Sequence, residues 1–269
     1  MLIPCILVLS VLISLGICYF AGCFGALSWL WVLPVSFLGS FLVLAGLAFL
    51  FVVIMCQRVD TSVPQEHDDP FYRKMVYRYC EAIVWILRMK VHTTGMEKVP
   101  TDSRFLLVCN HLSLLDPVIV AAAVKRYEIA FMAKKELSGN GLFKRFLLCI
   151  HTIFVSRHNS DMEAMRTSMR ALRSGEVLGI FPEGTRYHRG LMEEQEAGAA
   201  MIALRSGVPM IPMYISRKLA LFRPVDCVVG EPIPMDDLRE KGINKETCRE
   251  LMERITLEYR DLAAEAAAK

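Results

Sequence analysis

A histidine and an aspartate stand five positions apart, His111 and Asp116, just after the apolar run 104–109, which predicts a buried strand. On an ideal helix, residues at this spacing lie about 140° apart around the axis. The two side chains therefore meet only if His111 lies on the turn and Asp116 begins the next helix. A histidine held by a carboxylate is oriented as a general base. The spacing alone leaves another interpretation open, in which Asp116 caps the helix before Pro117 and His111 is an ordinary turn residue.

Residues that could bind a ligand, most of them charged, also follow three later predicted strands. They are Lys134 after the run 128–132, Arg157 after the run 152–155, and Glu183, Gly184, Thr185 and Arg186 after the run 177–181. Arginine offers a planar fork that binds phosphate at two points. Because ligands bind at the carboxyl ends of strands in α/β sheets, we expect these groups to converge on one edge. The pattern predicts a general base beside a cationic cradle for phosphate.

The elements that must position these groups alternate along the chain. The predicted strands are 104–109, 128–132, 152–155, 177–181, 208–215 and 227–229, and the predicted helices are 117–125, 143–150, 160–173, 194–205 and an amphipathic closing helix with apolar positions from Cys248 to Leu262. Strands separated by helices are typical of an α/β fold with a mostly parallel sheet and flanking helices.

The first 57 residues contain no Asp, Glu, Lys, Arg or His. One helix of that length would extend roughly 85 Å, far more than the bilayer core of about 30 Å. We therefore predict a transmembrane hairpin of two spans, broken at the small residues between Ala21 and Ser28. A cleaved signal peptide fits less well, because the segment lacks a positive start and is too long. Arg58 and the cations after it predict a multi-pass protein of the cell membrane, with its catalytic domain on the cytoplasmic face.

Composition divides the chain into three predicted parts: the hairpin 1–57, a connector with an amphipathic helix 58–95, and a catalytic domain 96–265. The helix predicted over 70–89 could lie on the membrane surface or pack on the domain core. A net charge of +3 is too weak to indicate nucleic acid as a partner. Nine cysteines without a CxxC pair predict reduced thiols and no metal site.

The series NHLSLLD, AKKEL, FVSR, FPEGTR and VPMIPMYI, spread over roughly residues 104–215, resembles the glycerolipid acyltransferase family, in particular its bacterial 1-acyl-glycerol-3-phosphate acyltransferases. The resemblance implies that His111 and Asp116 form the catalytic pair. It implies that the acceptor is bound by Lys134, Arg157, Glu183, Gly184, Thr185 and Arg186. The chain departs from the usual family pattern where Ser156 replaces an acidic residue and where Glu196-Ala197 replaces a lysine near Gly198.

The resemblance implies transfer of an acyl chain from acyl-CoA or acyl-acyl carrier protein, as co-substrate, to the sn-2 hydroxyl of a lysophospholipid acceptor in the membrane. It implies no cofactor and no metal. Backbone N–H groups of the NHLSLLD turn are expected to stabilise the oxyanion. Glycerol-3-phosphate or another lysolipid remains open as the acceptor. Two other classes also remain open: a membrane-anchored serine hydrolase with Ser113 as its nucleophile, and a non-catalytic membrane adaptor.

Overall fold

A computed structural model describes residues 2–23, 27–59, 70–86, 90–101, 104–139, 141–156, 161–183, 197–218, 220 and 223–268. The chain divides into two compact units, residues 1–64 and 65–269. The first is helical and the second is an α/β domain.

The first unit is a helical hairpin of α1 (Leu2–Phe20) and α2 (Trp29–Gln57). The two helices meet where the hydroxyl of Ser40 donates to the carbonyl of Ser10 over 3.3 Å. The hydroxyls of Ser10 and Ser14 donate to carbonyls one turn earlier in their own helix. These serine hydroxyls, on helices that are apolar on all sides, thus have hydrogen-bond partners within the protein. A lipid environment, which offers none, requires this.

The two predicted spans differ in length. Among the described residues, only Trp29–Gln57 is long and apolar enough to cross a membrane, and the described apolar part of α1, Pro4–Phe20, is shorter. The described part of the chain therefore supports one spanning helix, where the sequence predicts two. The predicted break at 21–28 agrees with the end of α1 and the start of α2.

The second unit is built on a seven-stranded sheet. Its strands are β1 (Val91–Thr94), β2 (Leu106–Cys109), β3 (Ile129–Lys134), β4 (Ile153–Val155), β5 (Val177–Ile180), β6 (Met210–Ile215) and β7 (Val225–Val229). Their order is β1-β7-β6-β2-β5-β3-β4, and every neighbouring pair is parallel except β6 with β7. The carboxyl ends of β2 to β6 therefore share one edge, which confirms the predicted mostly parallel α/β fold.

Helices cover both faces of this sheet. They are α3 (Pro70–Ile86), α4 (Asp116–Ala123), α5 (Gly141–Cys149), α6 (Met162–Arg173), α7 (Gly198–Ser206), α8 (Asp236–Glu240) and α9 (Lys245–Ala267). Residues of α6, α7 and α9 share one buried core with the β2 side chains Leu106 and Val108. Residues of α4 share the other with Leu107 and Cys109. Since β2 is buried on both faces, it is a continuous apolar run without polar alternation.

The structure differs from the sequence-based element boundaries mainly before residue 96. Strand β1 pairs with β7, so the sheet begins inside the segment that the sequence assigned to a connector. Helix α3 packs on α4 through Val84 and Ala122. The hydroxyl of Tyr77 donates to the carbonyl of Ile129 and accepts from its N–H. The structure thus shows the packing on the domain core that one interpretation of this helix predicts, and its contact with the membrane surface stays a prediction.

Candidate active site

The turn after β2 brings His111 and Asp116 together. His111 Nδ1 lies 2.8 Å from Asp116 Oδ2, and Asp116 is the first residue of α4. The imidazole is 17% exposed, whereas the carboxylate is fully buried. The predicted geometry is therefore observed, with His111 on the turn and Asp116 at the helix start. The buried carboxylate holds Nδ1–H, which leaves Nε2 as the ring nitrogen that can accept a proton from a substrate.

The same carboxylate organises the turn. Asp116 Oδ2 accepts hydrogen bonds from the backbone N–H groups of Leu112, at 2.6 Å, and Ser113, at 2.7 Å. Asp116 Oδ1 accepts from the hydroxyl of Ser113 at 2.8 Å. The two interpretations of Asp116 are thus compatible, because one carboxylate satisfies the backbone at the helix start and also orients the imidazole.

The expected oxyanion donors of this turn are already engaged. The backbone N–H groups of His111, Leu112, Ser113, Leu115 and Asp116 all donate to protein oxygens. A backbone N–H that already bonds a buried carboxylate contributes little to a developing oxyanion, because its hydrogen is aimed elsewhere. In the described structure these five N–H groups shape the turn, and the expectation that backbone N–H groups near it stabilise the oxyanion stays a prediction.

Glu183 has a contact that the sequence did not indicate. It is buried, at 5% exposure, and its Oε2 accepts from the backbone N–H of His111 over 3.3 Å. The carboxylate comes from the end of β5, which is the neighbour of β2 in the sheet. Glu183 therefore helps to hold the backbone of His111, and the acceptor contact predicted for it remains a prediction.

Phe181, directly after β5, contacts the imidazole from one face. The rings of His111 and Phe181 lie 4.5 Å apart at 29°, and Phe131 stacks on Phe181 at 6.0 Å. Phe131 reaches this position over Gly179, where an added Cβ would lie 2.7 Å from the Phe131 ring. A glycine in the middle of β5 is needed for this close approach. The sequence of the run 177–181 shows that an aromatic residue, Phe181, follows the strand. No sequence pattern indicates that its ring contacts His111.

The strand end that carries His111 is anchored from both sides. The side-chain amide of Asn110, fully buried, donates to the carbonyl of Ile215 and accepts from its N–H, at 3.0 and 2.7 Å. On α9, the hydroxyl of Tyr259 donates to the carbonyl of Val108. Burial raises the pKa of Tyr259 well above its ordinary value, so the group stays a neutral donor. These bonds fix the backbone on which His111 is placed.

His111 opens into a cleft of about 610 Å³ at the carboxyl edge of the sheet. Apolar side chains form most of its wall, among them Leu114, Phe143 and Ile150. Among the described residues, two cations also line it: Lys134, which the sequence predicted, and Lys218, which follows β6 and which the sequence did not indicate. A neighbouring sequence signal was available, since Arg217-Lys218 follows a predicted strand. An apolar cleft with two cations and a base suits an amphiphile that carries an anionic group.

Four of the predicted site residues lie outside the described residues: Arg157, Gly184, Thr185 and Arg186. His111, Asp116, Lys134 and Glu183 are described: His111 and Lys134 line one cleft, whereas the buried Asp116 and Glu183 contact the side chain and the backbone N–H of His111 from inside the domain. Among the described residues, no group of His, Cys, Asp and Glu is arranged to hold a metal ion.

Comparison with known proteins gives a consistent result. The model of the family described as Acyltransferase matches residues 90–216. A 1-acyl-sn-glycerol-3-phosphate acyltransferase of Bacillus subtilis (strain 168) is 31% identical over 170 residues, covering 60% of this chain and 84% of the relative. A protein of the same name from Streptococcus pneumoniae is 29% identical over 203 residues, covering 71% of this chain and 75% of the relative.

A solved structure extends the likeness to the fold. The crystal structure of the 1-acyl-sn-glycerophosphate (LPA) acyltransferase PlsC from Thermotoga maritima superimposes with a TM-score of 0.56 at 25% identity, covering 80% of this chain and 88% of the other. The likenesses and the His111–Asp116 geometry agree on the class, an enzyme that transfers acyl groups. The chain belongs to the acyltransferase family that includes these 1-acyl-sn-glycerol-3-phosphate acyltransferases.

Proposed function

We propose that this enzyme transfers an acyl chain from a thioester donor to the sn-2 hydroxyl of 1-acyl-glycerol-3-phosphate, which yields phosphatidic acid for phospholipid synthesis. The observation that carries the proposal is the pair His111 Nδ1–Asp116 Oδ2, 2.8 Å apart, at a cleft whose described lining is mostly apolar and includes Lys134 and Lys218. The names of the relatives support the same acceptor.

The reaction needs one base and a positioned acceptor. His111 Nε2 takes the proton of the acceptor hydroxyl as its oxygen attacks the thioester carbonyl. The tetrahedral intermediate collapses with cleavage of the C–S bond, and the proton on Nε2 passes to the departing thiolate. The products are the ester and the free thiol, and no covalent enzyme intermediate forms. Asp116 stabilises the imidazolium that exists between the two proton transfers.

The donor is an acyl-CoA or an acyl-acyl carrier protein, and the enzyme uses no cofactor. Both donors present the same thioester carbonyl, so the His111 chemistry is common to them. An assay of the purified full chain with both donors against a panel of acceptors tests the proposed function. The panel contains lysophosphatidate, glycerol-3-phosphate, another lysolipid and monoacylglycerol.

Neutralising the predicted phosphate contact should alter acceptor use selectively. Charge-assisted hydrogen bonds contribute roughly 1.5–3 kcal/mol, so we expect Arg186→Ala to lower kcat/KM for lysophosphatidate about ten- to a hundredfold. The KM of the donor should change little. Arg186→Lys should rescue only in part, because lysine lacks the planar fork. Steady-state kinetics on both substrates measure the effect.

The matched control is Arg249→Ala, since Arg249 lies on α9 and its side chain is 82% exposed. Monoacylglycerol, which has no phosphate, should already be a poor acceptor and become little worse in the Arg186 variant. Equal use of monoacylglycerol and lysophosphatidate by the wild type would contradict the proposed acceptor.

We infer further that the hairpin of α1 and α2 lies in the cell membrane and that the catalytic unit faces the cytoplasm, in keeping with Arg58 directly after α2. An introduced cysteine tests this orientation, because Cys227 and Cys248 are buried and burial raises the pKa of Cys227 to about 12. The exposed site Glu253 on α9 suits Glu253→Cys. A thiol reagent that cannot cross membranes should label this variant only in permeabilised cells, with the wild type as background. Labelling in intact cells would contradict the cytoplasmic location of the catalytic unit.

The serine hydrolase alternative is not supported by the geometry. The hydroxyl of Ser113 donates to Asp116 Oδ1 and accepts from the N–H of Leu115. Both hydrogen bonds stabilise the turn. The hydroxyl proton points to the carboxylate of Asp116 and not to the imidazole of His111. A nucleophilic serine needs its proton aimed at the base. Ser113 therefore stabilises the turn in the proposed mechanism.

A further inference from the structure

Large apolar side chains are exposed on two segments that contribute to the cleft wall. Leu114 and Leu115, in the turn after His111, are 61% and 42% exposed, and Leu142 and Phe143, at the start of α5, are 44% and 41% exposed. We call these four residues the apolar lip. Leu114 and Phe143 also line the cleft, so two members of the lip belong both to the cleft wall and to the exposed surface of the domain. Clusters of this kind mark interaction sites on soluble domains.

Cations accompany the lip. The segment 134–145, which leads from β3 into α5, contains Lys134, Lys135, Lys144 and Arg145 and one carboxylate, Glu136. Lys134, Lys135 and Glu136 are exposed. Exposed apolar side chains beside an excess of positive charge are typical of surfaces that insert shallowly into an anionic bilayer. A protein partner with an acidic apolar face would fit the charge as well, but it would cover the entrance that a lipid acceptor must use.

We propose that the apolar lip inserts into the surface of an anionic phospholipid bilayer and opens the cleft directly onto the lipid, so that the acceptor enters without crossing water. This inference rests on the proposed function. It assigns to the catalytic domain a membrane contact of its own, separate from the helical hairpin. Leu115 and Leu142 supply the contact from outside the cleft, whereas Leu114 and Phe143 continue it to His111.

Supplying the acceptor in two forms, in vesicles and as a dissolved monomer, separates the membrane contact of the lip from catalysis. Long-chain lysophosphatidate is supplied in vesicles that contain phosphatidylglycerol, and a short-chain lysophosphatidate is supplied below its critical micelle concentration as a dissolved monomer. Leu142→Ser should lower kcat/KM for the vesicle acceptor by about tenfold, because less apolar area leaves water on docking. The dissolved acceptor should be used as well as by the wild type. Leu142→Glu should lower vesicle activity further, since it adds repulsion from anionic lipid.

The matched control is Leu257→Ser on α9, because Leu257 is exposed to a similar degree, 59%, and belongs to neither the lip nor the cleft. It should leave both activities unchanged. A direct readout uses Leu142→Trp in the full chain bound to vesicles. Its added fluorescence over the wild type should be quenched by lipids with a shallow nitroxide label, and that of Leu257→Trp should not.

The outcomes separate the two proposals. Unchanged vesicle activity in Leu142→Ser and Leu142→Glu, with no quenching of Leu142→Trp, would overturn the membrane role of the lip while the acceptor assignment stands. Equal loss on vesicle and dissolved acceptors would also overturn it, because the residue would then act on the site itself. Failure of the wild type to acylate either lysophosphatidate would overturn the proposed function. Quenching of the Leu142→Trp fluorescence would still show whether the lip inserts into the bilayer.

Discussion

Replacing His111 by alanine should abolish acyl transfer and leave the fold intact. The imidazole is the group placed to take the hydroxyl proton, and general-base catalysis is worth roughly 10²–10⁴ in rate. We expect a fall in kcat of at least that size, with little change in the KM of either substrate, because His111 contributes to the transition state more than to binding. Rates are measured with purified enzyme and thermal unfolding by circular dichroism.

Thermal stability should change little in this variant. His111 lies on a turn, and its loss removes the stacking on Phe181 and one bond to Asp116 but no core side chain. The matched control is His92→Ala, an exposed histidine on β1, which should keep full activity. A His111→Ala enzyme that retained more than about a tenth of the wild-type rate would rule out the general-base role.

Two replacements of Asp116 should separate its charge from its structural role. In Asp116→Asn, the amide oxygen can still accept from the N–H groups of Leu112 and Ser113, so the turn should persist. The variant loses the charge that stabilises the imidazolium, and by analogy with other His–Asp pairs we expect the rate to fall by roughly 10⁴. The melting temperature should change by only a few degrees.

Asp116→Ala should be both inactive and markedly less stable. It leaves buried N–H groups of the turn without their acceptor, and each unsatisfied group costs about 1–3 kcal/mol. The double variant His111→Ala with Asp116→Asn should be no slower than His111→Ala alone, because the carboxylate acts through the imidazole. A further loss in the double variant would mean that Asp116 contacts the substrate independently. Activity near the wild-type level in Asp116→Asn would contradict the proposed pair.

The sequence by itself determined the class of fold and the edge on which the site lies. Apolar runs bounded by polar turns predicted β2 to β6 close to where they occur, since burial and turn chemistry act over short stretches of chain. The placement of His111 and Asp116 followed from the helix period and from a proline after the first residue of α4. The lack of charge over the first 57 residues likewise predicted an apolar hairpin. Strand β1, Val91–Thr94, was missed because its sequence, Val-His-Thr-Thr, is mostly polar and does not form an apolar run.

Only the tertiary structure decided what surrounds the catalytic pair. The contact of Glu183 with the N–H of His111 joins residues 72 positions apart, and the clamp of Asn110 on Ile215 spans 105 positions. Both depend on β2 lying between β5 and β6, an order that arises from packing across the whole sheet and leaves no local pattern. The same holds for Phe181 over the imidazole and for Lys218 in the cleft. A local sequence pattern predicts where a strand ends and which side chains follow it. The order of the strands in the sheet determines which distant side chains meet there.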